Sequence, residues 1–154
     1  NGHYNHLDVL NKVRISGSIP KFIEDNHIYN GIIYGCVKNH VPFVLTGSIR
    51  DDGPMPEVIG DAYKGQSAMR DMVRDATCVI CLATMLHTIA TGNMTLSFRV
   101  MKDGTIRPVY LYTVDADEFV VNKLMDRGSL SATTIVTNVQ DFITIIAKGL
   151  GVMK

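Results

Sequence analysis

The segment from residue 47 to residue 56 concentrates side chains that could bind and transform a small polar molecule. Its glycines, beginning at Gly47, allow a ligand to approach the backbone closely. Arg50 could hold a carboxylate or a phosphate group, and Asp51 or Asp52 could receive an amine or a proton. Glycine, aspartate and proline are also ordinary turn formers, so a turn with solvated charges explains this segment equally well.

A second candidate segment, residues 83–93, places small and hydroxyl-bearing residues at the start of a predicted helix. Free backbone amides at such a helix start can bind a phosphate group. Within this segment, His87 could exchange a proton near neutral pH or hydrogen-bond to a ribose. A histidine that is packed and hydrogen-bonded inside the fold explains the position as well.

The third candidate is the acidic pair Asp115 and Asp117, which follows an apolar run. An acidic residue at a strand end is what a nucleotide-binding sheet uses to accept the hydroxyls of a ribose. Either aspartate could instead cap the next helix, which would require no ligand. The glycine fingerprint G-x-G-x-x-G that often accompanies such a site is absent from all 154 residues.

Two motifs have the spacing of metal ligands, but neither predicts a metal site. Cys78 and Cys81 lie within an apolar run, where residues three apart point to opposite faces of a strand, and we interpret both as core residues. His3 and His6 could share one helical face, but no clear third ligand accompanies them. The sequence therefore predicts no metal site.

The pattern of apolar residues predicts an α/β fold whose sheet carries these candidates at the carboxyl ends of its strands. Strands are predicted at residues 41–46, 77–83, 107–114 and 133–137. The continuous apolar runs at 78–82 and 109–112 indicate parallel strands with both faces covered by helices. Helical spacing recurs between them, in Val58, Ala62, Met69, Met72 and Val73, in Phe119, Val120 and Leu124, and in Phe142, Ile145 and Ile146. The first forty residues are predicted to be mostly helical, and residues 1–154 to form a single domain.

The amino-acid composition argues against some classes of binding partner. Fifteen basic and fifteen acidic residues balance, so no net charge draws the chain toward nucleic acid or an anionic membrane. The apolar runs are far shorter than the roughly 20 residues that span a bilayer. Three cysteines are too few and too oddly numbered for a disulfide framework, which predicts a reducing, cytoplasmic setting.

Segments 2–7, 36–45, 47–54, 83–93 and 119–129 together resemble the lysine-oxoglutarate reductase/saccharopine dehydrogenase-like (LOR/SDH) family. That family includes archaeal ornithine cyclodeaminases and the C-terminal region of cyanobacterial arginine dihydrolase/ornithine cyclodeaminase. The resemblance implies a Rossmann-like parallel sheet of the deoxyhypusine synthase type that binds NAD. It also implies conversion of ornithine to proline and ammonia, with NAD recycled.

By position, the resemblance implies Arg50, Asp51 and Asp52 on the substrate side. It implies a cofactor side made of Gly47, Ser48, Thr84, Met85, His87 and Asp115. Family members are longer, with a glycine-rich segment upstream, so we expect an upstream polypeptide of the same protein to complete the cofactor site, and a homo-oligomer. Two alternatives stay open: a dehydrogenase or synthase-like enzyme acting on another amino acid or amine, and a non-catalytic nucleotide-binding module.

Overall fold

A computed structural model of the chain describes residues 2–47, 54–125 and 130–153. The backbone divides into two compact units, residues 1–68 and residues 69–154. We call them unit 1 and unit 2 and describe each by itself. The single domain expected over residues 1–154 stays a prediction.

Unit 1 is mostly helical, as the sequence predicts for the first forty residues. Its elements are α1 (Gly2–Ser16), α2 (Ile19–Asp25), α3 (Ile32–Lys38), β1 (Leu45–Thr46), β2 (Val58–Ile59) and the first part of α4 (Ala62–Arg74). Ser18 caps α2 by accepting a hydrogen bond from the Lys21 amide at 3.3 Å, and Pro20 follows in the first turn. Val13 of α1 packs against Ile19 and Ile23 of α2 to form the buried core of the unit.

A short parallel pair of strands completes unit 1. Leu45 of β1 lies opposite Val58 of β2. Just before β2, Glu57 adopts a left-handed backbone conformation with φ of 59°. Its carboxylate accepts a hydrogen bond from the Ile19 amide at 2.7 Å, so the chain that enters β2 is tied to the start of α2.

Unit 2 contains a three-stranded parallel sheet in the order β3-β6-β7, with β6 in the centre. An antiparallel hairpin, β4-β5, precedes β6 along the chain. The elements of the unit after α4 are β3 (Cys78–Leu82), α5 (Met85–Met94), β4 (Phe98–Val100), β5 (Ile106–Pro108), β6 (Tyr110–Asp115), α6 (Glu118–Leu124), β7 (Ser131–Val136) and α7 (Val139–Gly149).

The core of unit 2 lies along the central strand and α6. Leu111 and Val114 of β6 are almost completely buried, as is Val109 just before the strand. Val121 and Leu124 of α6 are equally buried, each with 2% of its surface exposed. Each such side chain stabilises the fold by about 1.5–3 kcal/mol relative to an exposed position. Helix α6 is therefore fixed to the sheet by its apolar face.

The strands match two of the four predictions closely, β3 against 77–83 and β7 against 133–137. The strand predicted at 41–46 is wrong in extent, because only Leu45–Thr46 is extended. The Val41 amide donates to the Cys36 carbonyl at 2.9 Å, so Val41 still belongs to the turn that ends α3.

The continuous strand predicted at 107–114 is also wrong, because it is two strands that break at Val109. Pro108 ends β5, and the Val109 amide donates to the Ser97 carbonyl at 3.1 Å before the chain enters the parallel sheet. The hairpin itself was not predicted. Its signal was present in Asp103 and Gly104, since an Asp-Gly pair between alternating apolar residues is typical of a hairpin turn.

Two further predictions are corrected. Val58, expected on a helix, lies in β2 and pairs with β1. Cys78, expected in the core with Cys81, is exposed at the start of β3, whereas Cys81 is buried. Ile80 is also exposed, so β3 is not covered on both of its faces. Across residues 2–47, 54–125 and 130–153, helices with the length and apolar character for crossing a membrane are absent.

Candidate functional site

The carboxyl ends of β3, β6 and β7 form one edge of the sheet in unit 2. Leu82 of β3 lies opposite Val114 of β6, and Val114 lies opposite Ile135 of β7. Each strand is followed by a two-residue turn that ends in a polar residue, and then by a helix. Ligands of open parallel sheets bind outside this edge, so we call the three strand-to-helix turns here the sheet-edge site.

The turn between β3 and α5 is sharp. Ala83 adopts a left-handed conformation with φ of 51°, which is uncommon for a residue other than glycine. Its amide donates to the Val114 carbonyl at 2.9 Å, which keeps the turn beside the end of β6. Thr84 then stands at the N-cap of α5, but its side chain makes no capping hydrogen bond. The amides that begin α5 at Met85 therefore have no side-chain acceptor from the cap residue.

Instead of capping the helix, the Thr84 hydroxyl contacts His87 one turn along α5. Its Oγ1 atom lies 2.9 Å from His87 Nδ1. His87 Nε2 has no hydrogen-bond partner among the residues that the structure describes. The ring is exposed, so the alternative of a histidine packed inside the fold is wrong.

Hydroxyl groups along the buried face of α5 are satisfied within the helix. Thr88 donates to the Thr84 carbonyl, Thr91 donates to the His87 carbonyl at 2.7 Å, and Thr95 donates to the Thr91 carbonyl at 2.7 Å. These three threonines are buried. Their hydroxyls are therefore not available to a ligand, whereas Thr84 and His87 lie at the start of the helix.

The turn between β6 and α6 assigns different roles to its two aspartates. Asp117 is the N-cap of α6, since its carboxylate accepts from the Phe119 amide at 2.9 Å. One oxygen of Asp115 accepts from the Asp117 amide at 2.9 Å. The other Asp115 oxygen has no hydrogen-bond partner within the described parts of the chain. The capping alternative thus holds for Asp117, and Asp115 keeps a free carboxylate oxygen at the edge.

The turn between β7 and α7 was not among the predicted site residues. Asn138 caps α7 by accepting from the Gln140 amide at 2.8 Å. The Thr137 amide donates to the Asp115 carbonyl at 2.9 Å, which places this turn directly beside Asp115. The rule that selected the other candidates, polar residues just after a strand, applies to residues 137 and 138 too and would have found them.

Cys81 lies beneath the start of α5 and is buried. Burial raises the pKa of its thiol, and a hydrogen bond with Thr88 opposes part of that rise. The thiol therefore stays neutral under physiological conditions and adds no charge to the sheet-edge site. This agrees with the interpretation of Cys81 as a core residue.

The candidates of the first segment belong to unit 1. Gly47 directly follows β1, and its amide donates to the Ile59 carbonyl at 2.8 Å. Ser48, Arg50, Asp51 and Asp52 lie outside the described residues. Their roles stay predictions.

Pro54 and Met55, which precede β2, both contact other residues of unit 1. The Pro54 carbonyl accepts from Arg14 Nε at 3.4 Å, and Met55 packs against the core of unit 1. Gly47 and Pro54 are thus each hydrogen-bonded within unit 1.

No group of three potential metal ligands occurs in the described ranges. Two cavities of these ranges are lined by residues other than the candidates. In unit 1 an apolar cavity of about 280 Å³ lies between α2, α3 and β1, and in unit 2 one of about 430 Å³ lies beside the hairpin.

The sheet-edge site fits a ligand that carries both phosphate oxygens and hydroxyl groups. The uncapped amides of α5 and the Nε2 atom of His87 can donate hydrogen bonds to oxygen atoms, and a helix start attracts negative charge. The free oxygen of Asp115 can accept from a hydroxyl. A dinucleotide presents this combination of groups, so the residues present are compatible with NAD.

The chain matches one protein family over most of its length. The family model described as "Arginine dihydrolase ArgZ-like, C-terminal, Rossmann fold" matches residues 1–146. The chain belongs to this family. The predicted α/β fold with a Rossmann-like parallel sheet flanked by helices is thereby confirmed.

Individual relatives agree with the family. An ornithine cyclodeaminase from Methanothermobacter thermautotrophicus is 46% identical over 145 residues, which cover 94% of this chain and 33% of that protein. A LOR/SDH protein structure from Methanococcus maripaludis matches with a TM-score of 0.81 and 39% identity, over 97% of this chain and 43% of that one. The resemblance to the LOR/SDH family is therefore confirmed.

A third relative carries ligands in its solved structure. It is AgrE of Nostoc sp., named a bifunctional arginine dihydrolase/ornithine cyclodeaminase and solved as a ternary complex with ornithine and NAD⁺. It matches with a TM-score of 0.79 and 40% identity, over 98% of this chain and 21% of that chain. The chain thus spans about a third of the length of the archaeal relative and about a fifth of AgrE.

Proposed function

We propose that the protein converts ornithine to proline and ammonia with the help of NAD. The observation that carries the proposal is the turn between β3 and α5, whose helix amides are left without a cap directly beside Asp115. Support comes from relatives at 38–46% identity that are named ornithine cyclodeaminase or bifunctional arginine dihydrolase/ornithine cyclodeaminase. One of them was solved with both ornithine and NAD⁺.

On the cofactor side, each described candidate has a distinct role. The amides that begin α5, at Met85 and the residues after it, bind a phosphate, with Thr84 setting the entry to the helix. His87 donates to a cofactor oxygen through Nε2, and Asp115 accepts a ribose hydroxyl. Gly47 and Ser48 are proposed to let the cofactor approach the backbone after β1. When bound, NAD supplies a reversible acceptor for a hydride.

On the substrate side, the roles fall to the segment after β1. Arg50 pairs with the carboxylate of the amino acid, because a guanidinium forms two parallel hydrogen bonds with that group. Asp51 or Asp52 binds a substrate amine or moves a proton. The reaction closes a ring between the α-carbon and the δ-amine and releases the α-amine as ammonia. No net oxidation occurs, so NAD is returned unchanged.

The test is incubation of the purified protein with ornithine and NAD. Proline and ammonia formed in equal amounts, without accumulation of NADH, would support the proposal. NADH accumulating in step with product would instead indicate a dehydrogenase or synthase-like enzyme acting on an amino acid or amine. NAD binding without either product would indicate a non-catalytic nucleotide-binding module.

A substitution separates the role proposed for Arg50 from the binding of NAD. Arg50→Ala should abolish turnover of ornithine and leave the dissociation constant for NAD unchanged. Arg70→Ala is the matched control, because Arg70 is exposed on α4 and lies outside the candidate set. Turnover that survives in the Arg50 variant would remove Arg50 from the substrate side.

We also propose that the protein is a homo-oligomer and acts in the cytoplasm. The free state of Cys36, Cys78 and Cys81 supports a reducing compartment. Light scattering of the purified protein measures the oligomeric state directly.

A further inference from the structure

Thr84 holds an unusual position among the helix caps of the sheet-edge site. Asp117 and Asn138 use their side-chain oxygens to accept from helix amides, at 2.9 Å and 2.8 Å. Thr84 stands at the equivalent position of α5, with an extended backbone suited to capping, and does not cap. Its hydroxyl contacts the His87 ring at 2.9 Å instead.

The direction of the hydrogen bond between Thr84 and His87 follows from the acceptors within reach of the Thr84 hydroxyl. The Thr84 hydroxyl hydrogen has no acceptor other than His87 Nδ1 among the described residues. If Nδ1 carried the proton and donated, the hydroxyl hydrogen would have no acceptor among the residues that the structure describes. A hydroxyl that donates to Nδ1 leaves the neutral ring protonated on Nε2.

We propose that Thr84 is a positioning residue that acts through His87: its hydroxyl donates to Nδ1, holds the ring as the Nε2–H tautomer, and presents that N–H to an acceptor oxygen of the bound cofactor. The inference rests on the proposed function for the ligand, but the tautomer belongs to the protein itself.

The proposed tautomer agrees with the other groups of the turn. The amides that begin α5 can only donate hydrogen bonds, and an Nε2–H also donates. The helix amides and the Nε2–H then act together as donors, which suits phosphate or ribose oxygens. Asp115, across the edge, supplies the acceptor for a hydroxyl. The cofactor is thus recognised by donors on one side of the edge and an acceptor on the other.

The experiment compares Thr84→Val with Thr84→Ser in the purified protein. Valine keeps the branched shape without the hydroxyl, and serine keeps the hydroxyl. Because Thr84 makes no capping bond, valine removes no cap from α5. Thr144→Val is the matched control, since it removes a hydroxyl that donates to the Gln140 carbonyl on α7.

The first readout is the tautomer of His87, measured by nitrogen NMR at a pH where the ring is neutral. We expect a single Nε2–H form in the parent protein, the Ser variant and the Thr144 control. The Val variant should show a mixture of both tautomers. A parent protein protonated on Nδ1, or a Val variant with an unchanged ring, would overturn the assignment whether or not NAD binds.

The second readout is NAD affinity by calorimetric titration. Thr84→Val should weaken NAD binding about tenfold, which corresponds to about 1.4 kcal/mol, and Thr84→Ser should restore it. In a His87→Ala background the valine substitution should add nothing, because Thr84 acts through the ring. A full additional loss in that background would refute the positioning role. If NAD bound none of these proteins, the proposed function would fail while the tautomer result still judged the Thr84–His87 pair.

Discussion

Three turns lie at the same edge of the parallel sheet. They differ in whether a side chain accepts a hydrogen bond from the first amides of the helix that follows. The turns into α6 and α7 are closed, because Asp117 and Asn138 accept from the amides of the helices they begin. The turn into α5 is open, because Thr84 makes no such bond. Closed turns serve stability, and an open turn leaves backbone donors for a ligand.

The helices that follow these turns also differ in how deeply their side chains are buried. Helix α6 buries Val121 and Leu124 against the sheet. At the start of α5, Leu86 is 73% exposed and His87 is exposed as well. The start of α5 therefore contributes less to the core than α6 does, and more of its surface is available to another molecule. Substitutions in α5, α6 and α7 can test this division between stability and binding.

The largest expected effect separates the two helices by their leucines. Leu124→Ala should lower the free energy of unfolding by about 2–5 kcal/mol, because it removes a buried side chain and leaves a cavity. Leu86→Ala, on the exposed start of α5, should change it by less than about 0.5 kcal/mol. Urea denaturation of both variants measures the difference. Equal losses would show that α5 is anchored at its start as firmly as α6.

The next effect concerns the caps. Asp117→Ala and Asn138→Ala should each lower the free energy of unfolding by about 1 kcal/mol, the usual contribution of a capping side chain. Thr84→Val should leave stability within about 0.5 kcal/mol of the parent protein, since no cap is lost. The same urea titrations provide the values. A loss at position 84 as large as at position 117 would mean that Thr84 caps α5 in solution.

The sequence predicted the strands of the sheet better than the contacts made by the residues that follow them. The apolar runs at 77–83 and 133–137 placed β3 and β7, and the strand-end rule then selected Thr84, His87 and Asp115. Parallel pairing brings such strand ends to one edge whatever the surrounding sequence.

The roles within the turns could not be predicted in this way. Thr84 and Asp117 are both common N-cap residues, and only side-chain geometry shows that one caps its helix and the other contacts a ring. In the same way, an apolar run across Pro108 looks continuous, although the missing amide of proline and the bond from Val109 to Ser97 divide it. Local competition between hydrogen-bond partners decides these cases, and residue type alone does not record it.

A further substitution converts the open turn into a closed one. Thr84→Asp should raise the free energy of unfolding by about 0.5–1 kcal/mol, because a carboxylate accepts from the amides of α5 and interacts favourably with the helix start. The same substitution should abolish NAD binding, since the new negative charge takes the position proposed for a phosphate.

Thr84→Asn separates the cap from the charge. Asparagine can accept from the same amides without a negative charge, so we expect a similar gain in stability. NAD binding should be weakened but still measurable by calorimetric titration, because the phosphate meets a competing acceptor and no repelling carboxylate. If the Asp variant were stabilised and still bound NAD as tightly as the parent protein, the phosphate could not lie at the start of α5, and the open turn would need another explanation.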